Sequence, residues 1–274
     1  MMERDILQTF PLNDRVANYG DGVFTTMSVE AGRVALFERH VKRLCRDARL
    51  LGVFVDAAQL RADIIAQARS IKSGTLKLLI SAGQGGRGYQ RDEKSAAALY
   101  FSHHSVPAHY SAWRVDGIRI GLSDVRMAVQ PALAGIKHCN RLEQVLVKRH
   151  MSAAVDDVLV CDTDNHIVEA SAANVFWLNQ GQWYTPSVKQ CGVAGVMREF
   201  VIDWLHQHGQ PVSEVLALPN VLNEASAIFL TNALMQIIPV HTLELEEPHH
   251  LATKPVTTLQ DEIKLAYQDE FNAV

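Results

Sequence analysis

Between Asp156 and Thr185 the sequence is cut into short apolar runs by turn residues, a pattern that few architectures accommodate. Val158-Leu159-Val160-Cys161 reads as a strand, Asp162-Thr163-Asp164-Asn165 as a turn and His166-Ile167-Val168-Glu169 as the return strand. After the small, polar run Ala170-Ser171-Ala172-Ala173-Asn174 come a strand, Val175-Phe176-Trp177-Leu178, a turn at Asn179 to Gln182, and Trp183-Tyr184-Thr185. This predicts a strand meander. The small-residue run permits close backbone approach to something flat or bulky, and it suits a tightly packed crossover equally well.

The N-terminal third is also strand-and-turn sequence, interrupted by helices. Residues 1–24 predict short strands and turns, with Tyr19-Gly20-Asp21-Gly22-Val23-Phe24 packing two glycines around an aspartate. Val23 to Val29 is a predicted strand, Glu30 to Arg33 a hairpin turn and Val34 to Phe37 the return. A helix from about Glu38 to Leu51 places Val41, Leu44, Cys45, Ala48 and Leu51 on one face, and Gly52 ends it. Arg39, Lys42, Arg43, Arg46 and Arg49 make its other side a basic, solvated face. A second helix spans about Ala57 to Ile71, and Thr75 to Ala82 is an apolar strand.

Gly83-Gln84-Gly85-Gly86-Arg87-Gly88 matches Gly-x-Gly-x-x-Gly after a strand. A dinucleotide fingerprint needs a helix directly after the glycines and an acidic residue ~20 positions on. Tyr89 to Ser95 is polar and aperiodic instead, and Ala97 to Ser102 reads as another strand. The loop is therefore expected to be a glycine-rich hairpin, at which Arg87 is placed to meet an anion. His103 to Trp113 lacks apolar periodicity and reads as a linker. Two α+β domains are expected, 1–105 and 115–274, joined by residues 106–114.

One lysine stands out in the second half. Pro131 and Gly135 interrupt regular structure, and Leu142, Val145, Leu146 and Arg149 then follow helical spacing, with Asn140 as a predicted N-cap. Lys137, flanked by Ile136, is expected just ahead of this helix, which runs to about Ala154. A positive dipole end and partial desolvation both disfavour an ammonium ion there. A lysine kept partly neutral can act as nucleophile or base. Further on, Cys191-Gly192-Val193-Ala194-Gly195 leads into a predicted helix from Val196 to His206, whose free first-turn N–H groups suit a phosphate. Leu218 to Ala225 reads as a short helix. Ala227 to Leu230 is a strand that opens into Thr231-Asn232-Ala233, Met235 to Val240 resumes it, and the last helix covers about Thr257 to Phe271.

Composition removes several function classes. The net charge of −4 points to neither nucleic acid nor an anionic membrane. No apolar run approaches the ~20 residues that span a bilayer, and the N-terminus has no apolar core of a signal peptide. Cys45, Cys139, Cys161 and Cys191 are widely spaced, which predicts free thiols in a reducing cytoplasm. The 12 histidines include no His-x-x-x-His with a nearby carboxylate, so no metal site is expected.

Together these segments resemble the fold-type IV pyridoxal-phosphate enzymes over nearly the whole chain. The carrying residues are Tyr19 to Phe24, His40-Val41-Lys42-Arg43-Leu44, Ile136-Lys137 with Asn140, Val168-Glu169-Ala170-Ser171 with Asn174-Val175-Phe176, Tyr184-Thr185-Pro186, Gly195-Val196-Met197-Arg198 and Thr231-Asn232-Ala233. Within that family, Ala134 to His138, Asn140 to Val145, Gly85 to Tyr89, Pro107 to Tyr110 and Asn232 to Met235 are most similar to the aminodeoxychorismate lyases. The D-amino-acid and branched-chain aminotransferases are the alternative.

The resemblance implies a two-domain α+β fold with pyridoxal 5'-phosphate in the cleft between the domains, a small-molecule substrate and a homodimer. It implies that Lys137 carries the cofactor and then serves as acid–base catalyst, and that Glu169 faces the pyridine nitrogen. Arg43 leaves the solvated face as a phosphate ligand. Val196 and Met197 offer backbone N–H groups to the same phosphate, the Thr231 hydroxyl and Asn232 backbone complete the cradle, and Asn174 orders the ring's polar edge. Phe24, Thr26, Arg87 and Tyr89 are implied on the substrate side, with Arg87 able to act across a dimer interface.

Overall fold

Alternating burial along residues 23–30 and 76–80 marks a sheet with one face against helices. The computed structural model describes residues 10–86, 88–92, 95–245 and 247–272. Of the stretch 1–24 expected to hold short strands and turns, residues 1–9 lie outside the described residues; the part that follows carries a short helix, α1 (Arg15–Tyr19), capped by the Asp14 carboxylate accepting from the Val16 N–H at 2.8 Å. β1 (Gly22–Glu30) and β2 (Arg33–Val34) form the expected hairpin, followed by α2 (Phe37–Leu50), α3 (Ala57–Ala68), β3 (Ser73–Ser81) and β4 (Ala98–His104). The sheet runs β2-β1-β3-β4. Val23, Met27, Val29, Leu76, Leu78 and Ile80 pack against Val41, Leu44, Ala48, Leu60 and Ile64 of the two helices. The glycine-rich loop is indeed a hairpin connection, because β3 and β4 pair antiparallel. Gly83 sits at φ +85, where a Cβ would stand 2.1 Å from the Ala96 carbonyl oxygen.

The stretch read as a linker contains a helix, α4 (Tyr110–Asp116). Its aromatic residues Tyr110 and Trp113 cover part of the second core, which apolar periodicity alone did not reveal in so short an element. Then come β5 (Ile118–Leu122), α5 (Leu142–His150), β6 (Asp157–Cys161), β7 (Ile167–Ala170), β8 (Asn174–Asn179), β9 (Gln182–Pro186), α6 (Val196–Gln207) and β10 (Val212–Val215). A 3₁₀ turn at Pro219–Glu224 stands where a short helix is predicted, before β11 (Ala227–Asn232), β12 (Gln236–Glu244), β13 (Pro248–His250) and α7 (Lys254–Asp269). These strands form a nine-stranded sheet in the order β10-β9-β8-β11-β12-β5-β6-β7, with β13 beside β12. Both faces are covered. Phe176, Phe229 and Ile237 point toward α6 and α7, while the alternate residues Val175, Trp177, Ile228, Leu230 and Ile238 point to the opposite core.

The chain around Lys137 differs from expectation. α5 starts at Leu142 with Arg141 in the N-cap position and no side-chain cap. Asn140 does not cap it; its amide donates to the Gly20 carbonyl at 3.3 Å. Of the apolar residues on α5 only Val147 is buried, and Leu142, Val145 and Leu146 face outward. The segment before the helix links β1 to the loop that leads into α6. His138 pairs with Val23 of β1 on one side, and Gly135 pairs with Val193 on the other.

Candidate active site

A cavity of about 350 Å³ opens beside this segment. Lys137 is held on it by its own backbone: its N–H donates to Asp47 Oδ2 at 3.0 Å, and its carbonyl accepts from the Phe24 N–H at 3.0 Å. The side chain enters the cavity with Nζ 4.5 Å from the centre of the Phe24 ring. Burial, then the charges of Arg43 and Arg141, push the amine down from an ordinary 10.5 to about 7. The dipole of α5 is not the cause, because the helix begins five residues further on.

Glu169 lies in the strand β7 and is almost wholly buried. Its Oε2 accepts the Val193 N–H at 2.9 Å. Burial pushes its carboxyl upward, while Arg141, Lys137 and the Val193 N–H pull it back down. The Gln144 amide approaches Glu169 without completing a hydrogen bond of normal geometry.

The opposite end of the cavity is built for an anion. Arg43 is buried on α2 one turn before Asp47, so a single helix face holds both this cation and the lysine's backbone. Its Nη2 donates to Thr25 Oγ1 at 2.5 Å, and its Nε is buried without a partner. Burial lowers Arg43 to about 10, which still leaves it charged at neutral pH. Thr25 Oγ1 also meets His40 Nδ1 at 2.7 Å. Burial and the charges of Arg43 and Lys137 keep that imidazole well below its ordinary value, hence neutral. Facing Arg43, α6 starts at Gly195 with no side-chain cap, so its first N–H groups stay free. A Cβ on Gly195 would stand 2.2 Å from Asn174 Oδ1, so the close approach of Asn174 requires glycine. An orphaned guanidinium nitrogen and an uncapped helix start on one cavity match a phosphate group.

Phe24, Thr26, Arg43, Lys137, Glu169, Asn174, Val196, Thr231 and Asn232 thus share one cavity. Met197 lies one residue deeper, buried in the first turn of α6. The Thr231 hydroxyl, expected to face the phosphate, instead donates to the Gln236 carbonyl at 2.6 Å. The Asn232 side chain ties the turn together, accepting from Leu234 and Met235 N–H groups and donating to the Ala172 carbonyl. Tyr89 lies outside this cavity. It is largely exposed and stands edge-on to Tyr19 in a neighbouring cleft. Arg87 falls outside the described residues.

The structure adds lining residues to which sequence reasoning gave no role, Tyr110, Arg141 and Gln144, and it sets the small residues Ser171 to Ala173, expected to permit a close approach, on the same cavity. Tyr110 was hidden in the presumed linker, although the close spacing of His109, Tyr110 and Trp113 is itself a packing signal. Arg141 and Gln144 were assigned to a helix running away from the lysine; their positions four and seven after it are the signal that could have marked them.

The fold and this cavity define the class: the chain belongs to the family described as amino-transferase class IV, which it matches over residues 22–243. Among curated relatives, it is 34% identical to an aminodeoxychorismate lyase of Vibrio harveyi over 86% of this chain and 88% of that protein. The crystal structure of 4-amino-4-deoxychorismate lyase from Pseudomonas aeruginosa superposes with a TM-score of 0.89 at 33% identity, covering 93% of this chain and 94% of the other. A branched-chain amino acid aminotransferase of Escherichia coli has the same fold at 20% identity and TM-score 0.81, over 96% of this chain and 91% of the other.

Proposed function

We propose that the protein is a pyridoxal-phosphate-dependent lyase that converts 4-amino-4-deoxychorismate to 4-aminobenzoate and pyruvate, a step of folate biosynthesis. The observation that carries this reading is Lys137: a lysine lowered toward neutrality, facing a buried carboxylate and an anion cradle in one cavity. The chain's likeness to aminodeoxychorismate lyases supports the choice of substrate.

Bound in this cavity, pyridoxal phosphate supplies an electron-accepting ring beside the amine-bearing carbon of the substrate. Arg43 and the N–H groups of Val196 and Met197 would hold its phosphate, with Thr231 and Asn232 shaping the turn beside it. Glu169 is the carboxylate that would keep a proton on the ring nitrogen, and Asn174 would order the ring's polar edge. Lys137, as a neutral amine, takes the proton from the amine-bearing carbon. The electron pair left behind expels the neighbouring enolpyruvyl ether oxygen. Protonated at its methylene carbon, that fragment leaves as pyruvate, and the remaining ring is aromatic 4-aminobenzoate. Phe24 and Thr26, two apart on β1, line the cavity and would face the substrate.

Purified protein loaded with pyridoxal phosphate should release pyruvate and 4-aminobenzoate in equal amounts from aminodeoxychorismate. Absence of both, with active transamination of D-alanine or a branched-chain amino acid, would favour the aminotransferase reading. That second reading is supported by a D-alanine aminotransferase of Listeria innocua, 25% identical over 85% of this chain.

The proposed division into domains, 1–105 and 115–274 with 106–114 between them, is supported by the two sheets and their separate cores. A homodimer is supported by the outward face of α5, where Leu142 is 77% exposed and Val145 58%. Among the described residues no helix is long and apolar enough to cross a membrane. A cytoplasmic location is supported by four cysteines that are all free thiols. Net charge gives no support to nucleic acid as a partner.

A further inference from the structure

We propose that Arg141 is a positioning residue for Lys137: its guanidinium grips the backbone carbonyls on either side of the lysine and so fixes where the amine stands relative to Glu169. The inference rests on Lys137 being the cofactor-bearing lysine. Arg141 Nε donates to the His138 carbonyl at 2.9 Å and Nη2 to the Ile136 carbonyl at 3.0 Å. In an extended segment carbonyls two apart point the same way. Those of residues 136 and 138 therefore turn to Arg141, while the carbonyl of Lys137 turns to the Phe24 N–H. A planar fork with fixed donor directions suits this task, and a lysine in its place could not span both acceptors in the same geometry.

A second observation sets Arg141 apart from an ordinary structural arginine. Its side chain lines the same cavity as Lys137 and Glu169, yet among the described residues no carboxylate forms an ion pair with it. A guanidinium satisfied only by neutral carbonyls in a partly desolvated site is costly to keep. The arrangement is consistent with a fixed positive charge used by its neighbours. That charge lowers the Lys137 amine and draws the Glu169 carboxyl down against its burial.

Other groups act on the same amine. Arg43 and His40 come from α2, with Asp47 one turn on; His40 is neutral, and Asp47 opposes Arg43 in sign. Lys77 of β3 lies across the Phe24 ring, its Nζ 5.3 Å from the ring centre. His138 and Cys139 follow the lysine, and burial holds both uncharged at neutral pH, the imidazole at about 4 and the thiol at about 11. Asp47 holds the lysine's own N–H, and Arg141 is the cation among these that holds the carbonyls on either side of it.

The test separates grip from charge. Native protein, R141K and R141M are stripped of cofactor, and the rate of pyridoxal phosphate capture is followed by absorbance across pH; kcat and KM are then measured on the reloaded enzymes. R141M should move the capture profile to higher pH, with capture at pH 7 slowed about tenfold and restored near pH 10. R141K keeps the charge, so its capture profile should stay close to native while kcat falls about tenfold or more with KM within twofold. Native-like profiles and kcat in both variants would overturn the proposal. Should R141M fail to fold, R141K decides alone, and an unchanged kcat there overturns it. Native protein that captures no cofactor at any pH would instead sink the function proposed above.

Discussion

Replacing Lys137 by methionine in cofactor-free protein should raise stability, and the gain should shrink as pH rises. Methionine keeps the unbranched shape and removes the charge. The amine titrates near 10.5 when unfolded and about 7 in the fold. A base whose pKa falls on folding binds fewer protons folded than unfolded between those two values, so native stability climbs with pH across that window. The full gap corresponds to at most about 5 kcal/mol. Because the cavity admits water, we expect roughly 3 kcal/mol of it to be lost between pH 7 and pH 10. Urea unfolding of native protein and K137M at both pH values measures this directly, since packing differences between the side chains are the same at each pH and cancel. An advantage of K137M that stays constant from pH 7 to pH 10 would refute the argument, and with it the neutral lysine.

Arg43→Gln should weaken pyridoxal phosphate binding by about 2 kcal/mol, roughly thirtyfold, in an absorbance titration; a Kd within twofold of native would remove Arg43 from the phosphate cradle. Glu169→Gln removes the negative charge that holds the Lys137 amine up, so the pH midpoint of cofactor capture should move lower, opposite in sign to R141M, while kcat falls about a hundredfold or more through loss of the ring-nitrogen partner. A midpoint that rises would show that Glu169 does not act on the lysine as a charge. Leu142→Asp with Val145→Asp on α5 should convert a dimer to monomers in sedimentation at micromolar protein, because a charge on a buried apolar face is costly; an unchanged assembly would place the interface elsewhere.

Much of the architecture is written in local pattern. The hairpins β1–β2, β6–β7 and β8–β9 and the starts of α2, α3 and α6 follow from turn residues and from periods of two and 3.6, which depend only on neighbours in the chain; the expected meander breaks between β7 and β8, because β7 ends the sheet while β8 pairs with β11. The hairpin reading of the glycine-rich loop held for the same reason: the residues after it could not begin a helix. The residue types at Lys137, Glu169, Arg43 and Gly195 could likewise be picked out, in most cases through family likeness.

What the chain could not disclose from its order is what meets what. Helical spacing marked Leu142, Val145 and Leu146 as an apolar face, but spacing does not say what lies against that face, and here it turns outward. Asn140 has the chemistry of an N-cap, yet the Gly20 carbonyl, 120 positions away, takes its amide. The lysine's lowered pKa owes most to burial, as its sequence context suggests, but its positive partners differ from the expected helix dipole: the fold brings in Arg43 from α2 and turns Arg141 back over the segment. Sequence by itself determined the elements and the reactive side chains, because propensity and patterning are local. Tertiary structure alone decided the lysine's environment, because burial and charge act through space, and only the placing of residues 135–139 between β1 and the loop before α6 brings those charges to one point.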